Sequence, residues 1–173
     1  MIYLSPYNPE WPDLFAAEKE LLLRFAGQYI AVIEHIGSTA IPSISAKPVI
    51  DIMIGVNKLS DVTDEAIQAL EKQGYNYIKK YEIEMPYRRY FQKNDSQGNR
   101  THQIHLVKIH GDFWNRHLLF RDFLRTHPED AKNYEKLKLD LANKFDDTNE
   151  YAKAKTDFCN KIHAKAIRWK LKI

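Results

Sequence analysis

The residues of this chain that are equipped for chemistry gather in two short stretches, Glu34-His35-Ile36-Gly37-Ser38-Thr39 and Val49-Ile50-Asp51-Ile52-Met53-Ile54. In the first, Gly37 permits a sharp backbone turn that a Cβ would forbid. Ser38 and Thr39 follow with hydroxyls and unpaired amides, a setting suited to an anion. In the second, Asp51 is the one carboxylate in a run that stays apolar through Val56. Such a group is costly to bury unless a metal, a cation or hydrogen bonds meet it. Lys47, just ahead of that run, is a cation able to neutralise phosphate charge. His105 is the remaining candidate. Imidazole suits Zn or Mn better than Mg²⁺, and it can also act as a base or hydrogen-bond a phosphate. Each has a plainer role open to it: a turn cap for Ser38, a structural carboxylate for Asp51, a satisfied core histidine for His105.

Strands and a hairpin must bring these groups together. Residues 30–36, rich in β-branched side chains, read as a strand entering the turn, and 49–56 as a strand buried on both faces. Residues 87–93 and 101–109 flank the turn cluster Asp95-Ser96-Gln97-Gly98-Asn99 and predict a β-hairpin beside the Asp51 strand. Side chains alternate along a strand, so Gln103 and His105 share one face and His102 takes the other. Glu82 and Glu84 fall in a loop. Asn8-Pro9-Glu10 opens a first helix that Gly27 closes, with Trp11, Leu14, Phe15, Glu18, Leu21, Leu22 and Phe25 on its inner stripe. Ser60 or Asp61 caps a second, ended by Gly74 and followed by a short strand over 75–79. The last third is helical: 113–125, then a helix from Pro128 with Tyr134, Leu137, Leu141 and Phe145 inward. After a break at 146–149, a final helix turns Tyr151, Phe158, Ile162 and Trp169 inward and Lys153, Lys155, Lys161, Lys165 and Lys170 outward. That basic face reads as solvated, with RNA binding as the alternative. Arg121 and Arg125 read as salt-bridging residues, with an anion as the other option.

The run Ile36-Gly37-Ser38-Thr39-Ala40-Ile41-Pro42, with Ala46-Lys47-Pro48-Val49-Ile50-Asp51-Ile52, resembles the GrpB family, which is similar to the nucleotidyltransferase superfamily. That superfamily's signature is an apolar residue, Gly-Ser, a spacer, and Asp-apolar-Asp on the next strand. The spacer here is twelve residues, 39–50. Tyr7-Asn8-Pro9-Glu10-Trp11-Pro12, Arg100-Thr101-His102-Gln103-Ile104-His105 and Leu119-Phe120-Arg121-Asp122-Phe123-Leu124-Arg125 resemble further family stretches, so the likeness runs through most of the chain. It implies an α+β domain, with a mixed β-sheet flanked by helices and a helical C-terminal third. It also implies metal-dependent nucleotidyl or phosphoryl transfer from a nucleoside triphosphate. The alternative is a non-catalytic domain binding a nucleotide, a phosphorylated metabolite or a protein. By resemblance, Gly37, Ser38, Thr39 and Lys47 hold phosphate, while Asp51 and His105 serve catalysis and hold Mg²⁺ or Mn²⁺. Two positions depart from the pattern. The second carboxylate would fall at Met53, which cannot bind Mg²⁺, and Gln103 stands where His is expected in many relatives.

Composition narrows the classes further. At 173 residues, 44% hydrophobic and 28% charged, the chain suits one soluble domain with a real core. A net charge of +3 is too mild to argue for nucleic acid by itself. The single cysteine, Cys159, excludes an intramolecular disulfide and reads as a small apolar core residue. With no signal peptide and no apolar run approaching the ~20 residues of a membrane span, the expected location is the cytoplasm. Walker, Rossmann, nucleophile-elbow and cysteine-zinc patterns are lacking.

Overall fold

A computed structural model describes residues 2–172. The apolar runs on either side of the Gly-Ser turn form neighbouring strands, β1 (Val32–Ile36) and β2 (Ile50–Val56), paired antiparallel so that Ile36 stands opposite Asp51. Two short elements follow: helix α2 (Asp64–Glu71) and strand β3 (Asn76–Tyr77). The hairpin forms as β4 (Arg88–Asn94) and β5 (Arg100–Lys108), and Asp95 accepts the Gln97 and Asn99 amides in its turn. β5 runs parallel to β2, in a register that sets Gln103 opposite Asp51 and His105 opposite Met53. The sheet order is β1-β2-β5-β4-β3, mixed as expected.

The two faces of the sheet differ in chemistry because alternate residues differ. One face presents Ile33, Ile52, Ile54, Phe91, Ile104 and Leu106 to α2 and to α1 (Trp11–Ala26), forming the main core. Each such side chain contributes roughly 2 kcal/mol by leaving water. The opposite face carries Asp51, Gln103, His105 and Tyr90. Over it lie α3 (Asp112–Thr126), α4 (Pro128–Ala142), α5 (Thr148–Ala154) and α6 (Thr156–Lys170). These helices hold a second core of Phe123, Leu124, Tyr134, Ile162 and Ala166, together with Ile41 and Ile44.

Several local expectations change. α1 starts at Trp11, because Asn8 accepts the Glu10 amide (2.9 Å) and closes a turn ahead of the helix. Gly27 keeps a right-handed φ of −56° and leads into a 3₁₀ turn, so it does not act as a left-handed stop. Leu14 and Phe25 are about half exposed, while Glu18 is buried, taking hydrogen bonds from Tyr75 (2.9 Å) and Lys93 (2.8 Å). Thr63, not Ser60 or Asp61, caps α2. The strand at 75–79 shrinks to two residues. Glu82 pairs with Arg89 (3.1 Å). The final helix breaks at Lys155 into α5 and α6, and the buried line of α4 is Ala131, Tyr134, Lys138 and Ala142 rather than the leucine stripe. Among the described residues, no helix is long and apolar enough to cross a membrane.

Candidate functional site

Gly37 sets the geometry of the site. Its φ is +73°, and a Cβ built there would stand 2.2 Å from Asp51 Oδ2, so both conformation and contact demand glycine. The chain then makes a 3₁₀ turn, Ser38–Ala40, whose first closing bond is Ala40 N–H to Gly37 O (3.2 Å). Ser38 lies on the cleft described below. Thr39 is nearly fully buried. Its hydroxyl donates to Val49 O (3.4 Å) and accepts from His35 Nε2 (2.9 Å), tying the strand junction, and the residue also borders the larger lobe described below. His35, stacked on Phe15, has its pKa pushed down to about 4 by burial, against the pull of Asp51. Arg121 binds Glu34 (2.7 Å) and His35 O (2.9 Å), and Arg125 binds Ala40 O (2.8 Å). Both arginines therefore brace the turn.

Asp51 keeps about 20% of its side chain exposed. Its Oδ1 accepts from Gln103 Nε2, and His105 Nε2 stands 3.7 Å away, beyond a hydrogen bond. Burial pushes this carboxyl up, but His105 and Gln103 outweigh it and hold it below its ordinary value. No described residue hydrogen-bonds Oδ2. Arg88 meets His105 Nδ1 at 3.2 Å. Guanidinium only donates, so Nδ1 accepts, and the neutral ring carries its proton on Nε2, the nitrogen nearer Asp51. Tyr90 donates to Gln103 Oε1 (2.6 Å) and holds the amide so that its NH₂ meets the carboxylate. His102 points to the other face, 3.9 Å from Glu18, and shares nothing with His105.

A cleft with two lobes lies between this sheet face and the helices. The larger lobe, about 490 Å³, is lined by Lys47, Arg100, Lys138 and Lys155 against one acid, Asp51. The smaller, about 370 Å³, is lined by Ile36, Gly37, His105, His117, Phe120 and Tyr134 among others. Ser38, Asp51, Gln103 and Lys155 border both. Gly37, Ser38, Asp51 and His105 thus meet at one concavity, with Lys47 in the adjoining lobe.

The lysines are held under strain of charge. Burial, with Lys155 next, pushes the Lys47 ammonium down to about 8, and the same two causes take Lys138 to about 7. Lys138 Nζ donates to Ser45 O. Lys155 Nζ lies 4.3 Å and Lys47 Nζ 5.1 Å from the centre of the Tyr151 ring, and the buried Tyr151 hydroxyl has no hydrogen-bond partner among the described residues. Such a lobe concentrates positive charge. The outward placement of Lys155 read from the sequence is corrected: the break between α5 and α6 turns it into the cleft. Lys138 and Arg100 are further cleft cations that sequence reasoning did not single out. One signal was present: Tyr134–Lys138 and Tyr151–Lys155 are both Tyr-x-x-x-Lys pairs, and each makes a ring contact, at 4.9 and 4.3 Å.

The donors fit a protein-held Mg²⁺ poorly. Among the described residues Asp51 is the one carboxylate on the cleft, and Met53, where a second would fall, is fully buried against Ile36, Val107 and Trp114. Among the described residues no group of three His, Cys, Asp or Glu could hold a metal. Octahedral oxygen coordination would require most ligands from elsewhere.

Comparison with known proteins places this architecture. The family model described as GrpB protein matches residues 1–165. The chain is 38% identical over 146 residues to glutamate-rich protein GrpB of Alkalihalophilus pseudofirmus, covering 83% of each. It is 41% identical over 167 residues to UPF0157 protein YqkA of Bacillus subtilis, covering 95% of this chain and 47% of that one, so it spans about half of YqkA's length. The crystal structure of conserved protein GrpB from Enterococcus faecalis matches with a TM-score of 0.86 at 32% identity, over 98% of this chain and 99% of that one.

Proposed function

The chain belongs to the GrpB family, and from that premise we propose that its cleft binds a phosphorylated small molecule of the nucleotide class. The observation that carries this is the larger lobe, where Lys47, Arg100, Lys138 and Lys155 face a single carboxylate. Burying cations near one another costs free energy that a phosphate's charge returns on binding. The phosphates lie along these cations, and Ser38 offers its hydroxyl at the border of the lobes.

A second reading, nucleotidyl or phosphoryl transfer, is favoured by Asp51. Its Oδ2 is free of hydrogen bonds from described residues and lies where the two lobes meet. Held ionised by its neighbours, Asp51 is a weak base; it is better suited to orient a group or to share a cation that arrives on the ligand's own phosphates. Melting temperature measured with inorganic tripolyphosphate, ATP, GTP, CTP and UTP, each with and without Mg²⁺ or Mn²⁺, tests both. Stabilisation by tripolyphosphate without metal supports the anion site, and stabilisation that needs metal supports transfer. No stabilisation by any of them at millimolar concentration rejects the proposal.

A further inference from the structure

The two lobes differ in a way that an anion site alone does not require. The smaller lobe is walled by Ile36, Phe120, Tyr134 and Cys159, and Phe120 and Tyr134 meet edge to face at 5.4 Å. His117 supplies a directional polar group there. Its Nδ1 lies 2.7 Å from Phe113 O, a carbonyl that only accepts, so Nδ1 carries the proton and Nε2 presents a lone pair. No described residue hydrogen-bonds that Nε2. Burial pushes the His117 pKa down to about 4, so the ring stays neutral and its acceptor is available at neutral pH. The lobe's volume, about 370 Å³, falls in the range of small-molecule pockets; Arg116, His105 and the shared Ser38, Asp51, Gln103 and Lys155 complete its lining around the aromatic walls that a planar ring needs.

We propose that the smaller lobe is a subsite for a neutral planar ring bearing an N–H donor, a nucleobase, with Phe120 and Tyr134 as its walls and His117 Nε2 as the acceptor that orients it. This rests on the anion-binding reading of the larger lobe and extends it: the phosphates lie with the lysines, the ring lies beside His117, and Asp51 stands between. The ligand is thereby a nucleotide, not inorganic polyphosphate.

Cys159 borders the smaller lobe only and is the chain's one cysteine, so its alkylation by iodoacetamide reports on that lobe. The rate is measured with tripolyphosphate, with each of adenosine, guanosine, cytidine and uridine, and with the matching triphosphates. At a concentration tenfold above Kd, at least one triphosphate slows alkylation about tenfold, whereas tripolyphosphate leaves the rate within about twofold while still raising the melting temperature. His117→Leu, or Phe120→Ala if the first variant does not fold, loses the protection and keeps the tripolyphosphate stabilisation. Stabilisation by tripolyphosphate with no nucleotide or nucleoside protecting Cys159 overturns the ring subsite alone. Protection by a nucleoside without any tripolyphosphate effect sustains the subsite and rejects the anion site. Neither effect rejects both.

Discussion

Replacing Lys155 by methionine should make the ligand-free chain more stable and its cleft a poorer anion site. Lys155 and Lys47 place their ammonium nitrogens 4.3 and 5.1 Å from the centre of one ring, so the two charges are less than about 10 Å apart. At an effective dielectric constant of ~20, charges at that separation repel by about 2 kcal/mol. Salt reduces this to on the order of 1 kcal/mol near physiological ionic strength. Lys138 adds a second repulsion, since Lys155 is the leading charge that lowers its pKa. Methionine keeps the aliphatic stem and the helical preference at the α5–α6 junction while removing the charge. Urea unfolding at pH 7 should therefore show Lys155→Met more stable by about 1 kcal/mol or more, near 3 °C in Tm, with the gap narrowing as salt rises. Saturating tripolyphosphate should reverse the order, because only the parent cleft has the full cation set. A variant that is less stable than the parent at every salt concentration, and equally stabilised by tripolyphosphate, would refute the idea that these cations are clustered for a ligand.

Three further outcomes follow from the same geometry. Gly37→Ala should cost about 1 kcal/mol for the positive φ plus on the order of 2 kcal/mol for the contact with Asp51, and only the second part should vanish in an Asp51→Gly background; equal costs in both backgrounds by urea unfolding would contradict the tight approach. Because burial takes His35 from 6.5 to about 4, the unfolded chain binds its proton first as pH falls, so stability is whole above 6.5 and about 3 kcal/mol is lost on approaching pH 4; His35→Gln should flatten that slope in denaturation midpoints, and an unchanged slope would count against it. Asp51→Asn should leave the unfolding free energy measured in urea within about 1 kcal/mol of the parent, since its direct neighbours are Gln103 and His105 and no lysine bonds it; a loss of several kcal/mol with unchanged nucleotide stabilisation would make Asp51 a structural ion.

The sheet side of the site was legible from sequence because strand periodicity is rigid. A period of two put Gln103 and His105 on one face and His102 on the other, and the hairpin's register delivered the first pair to Asp51. Gly37 was legible for a different reason: the sharp turn between two apolar strands takes a positive φ that favours a residue without Cβ. The helical side was not. In α4 the buried line has ordinary helical spacing but sits one residue out of phase with the leucines, because Lys138 is drawn inward to Ser45 O and the Tyr134 ring. A scheme that assigns apolar side chains to the core places such a lysine in solvent. The break at Lys155 was hidden too. No glycine or proline marks it, and Asp147 caps only the start of α5, so two helices read as one and Lys155 fell on the wrong face. Thr39 shows the converse: its hydroxyl was legible as a donor, but its partners, His35 and Val49, are fixed by how the strands meet.

Phosphate binding in the lysine-lined lobe is the step on which the proposed function rests. A crystal structure of the chain soaked with a non-hydrolysable nucleoside triphosphate tests it most directly. Phosphate density is expected within about 3 Å of Lys155 Nζ and Lys47 Nζ, with Ser38 at its edge. Well-ordered ligand density anywhere else, or an empty lobe under conditions where solution binding is saturated, would contradict it.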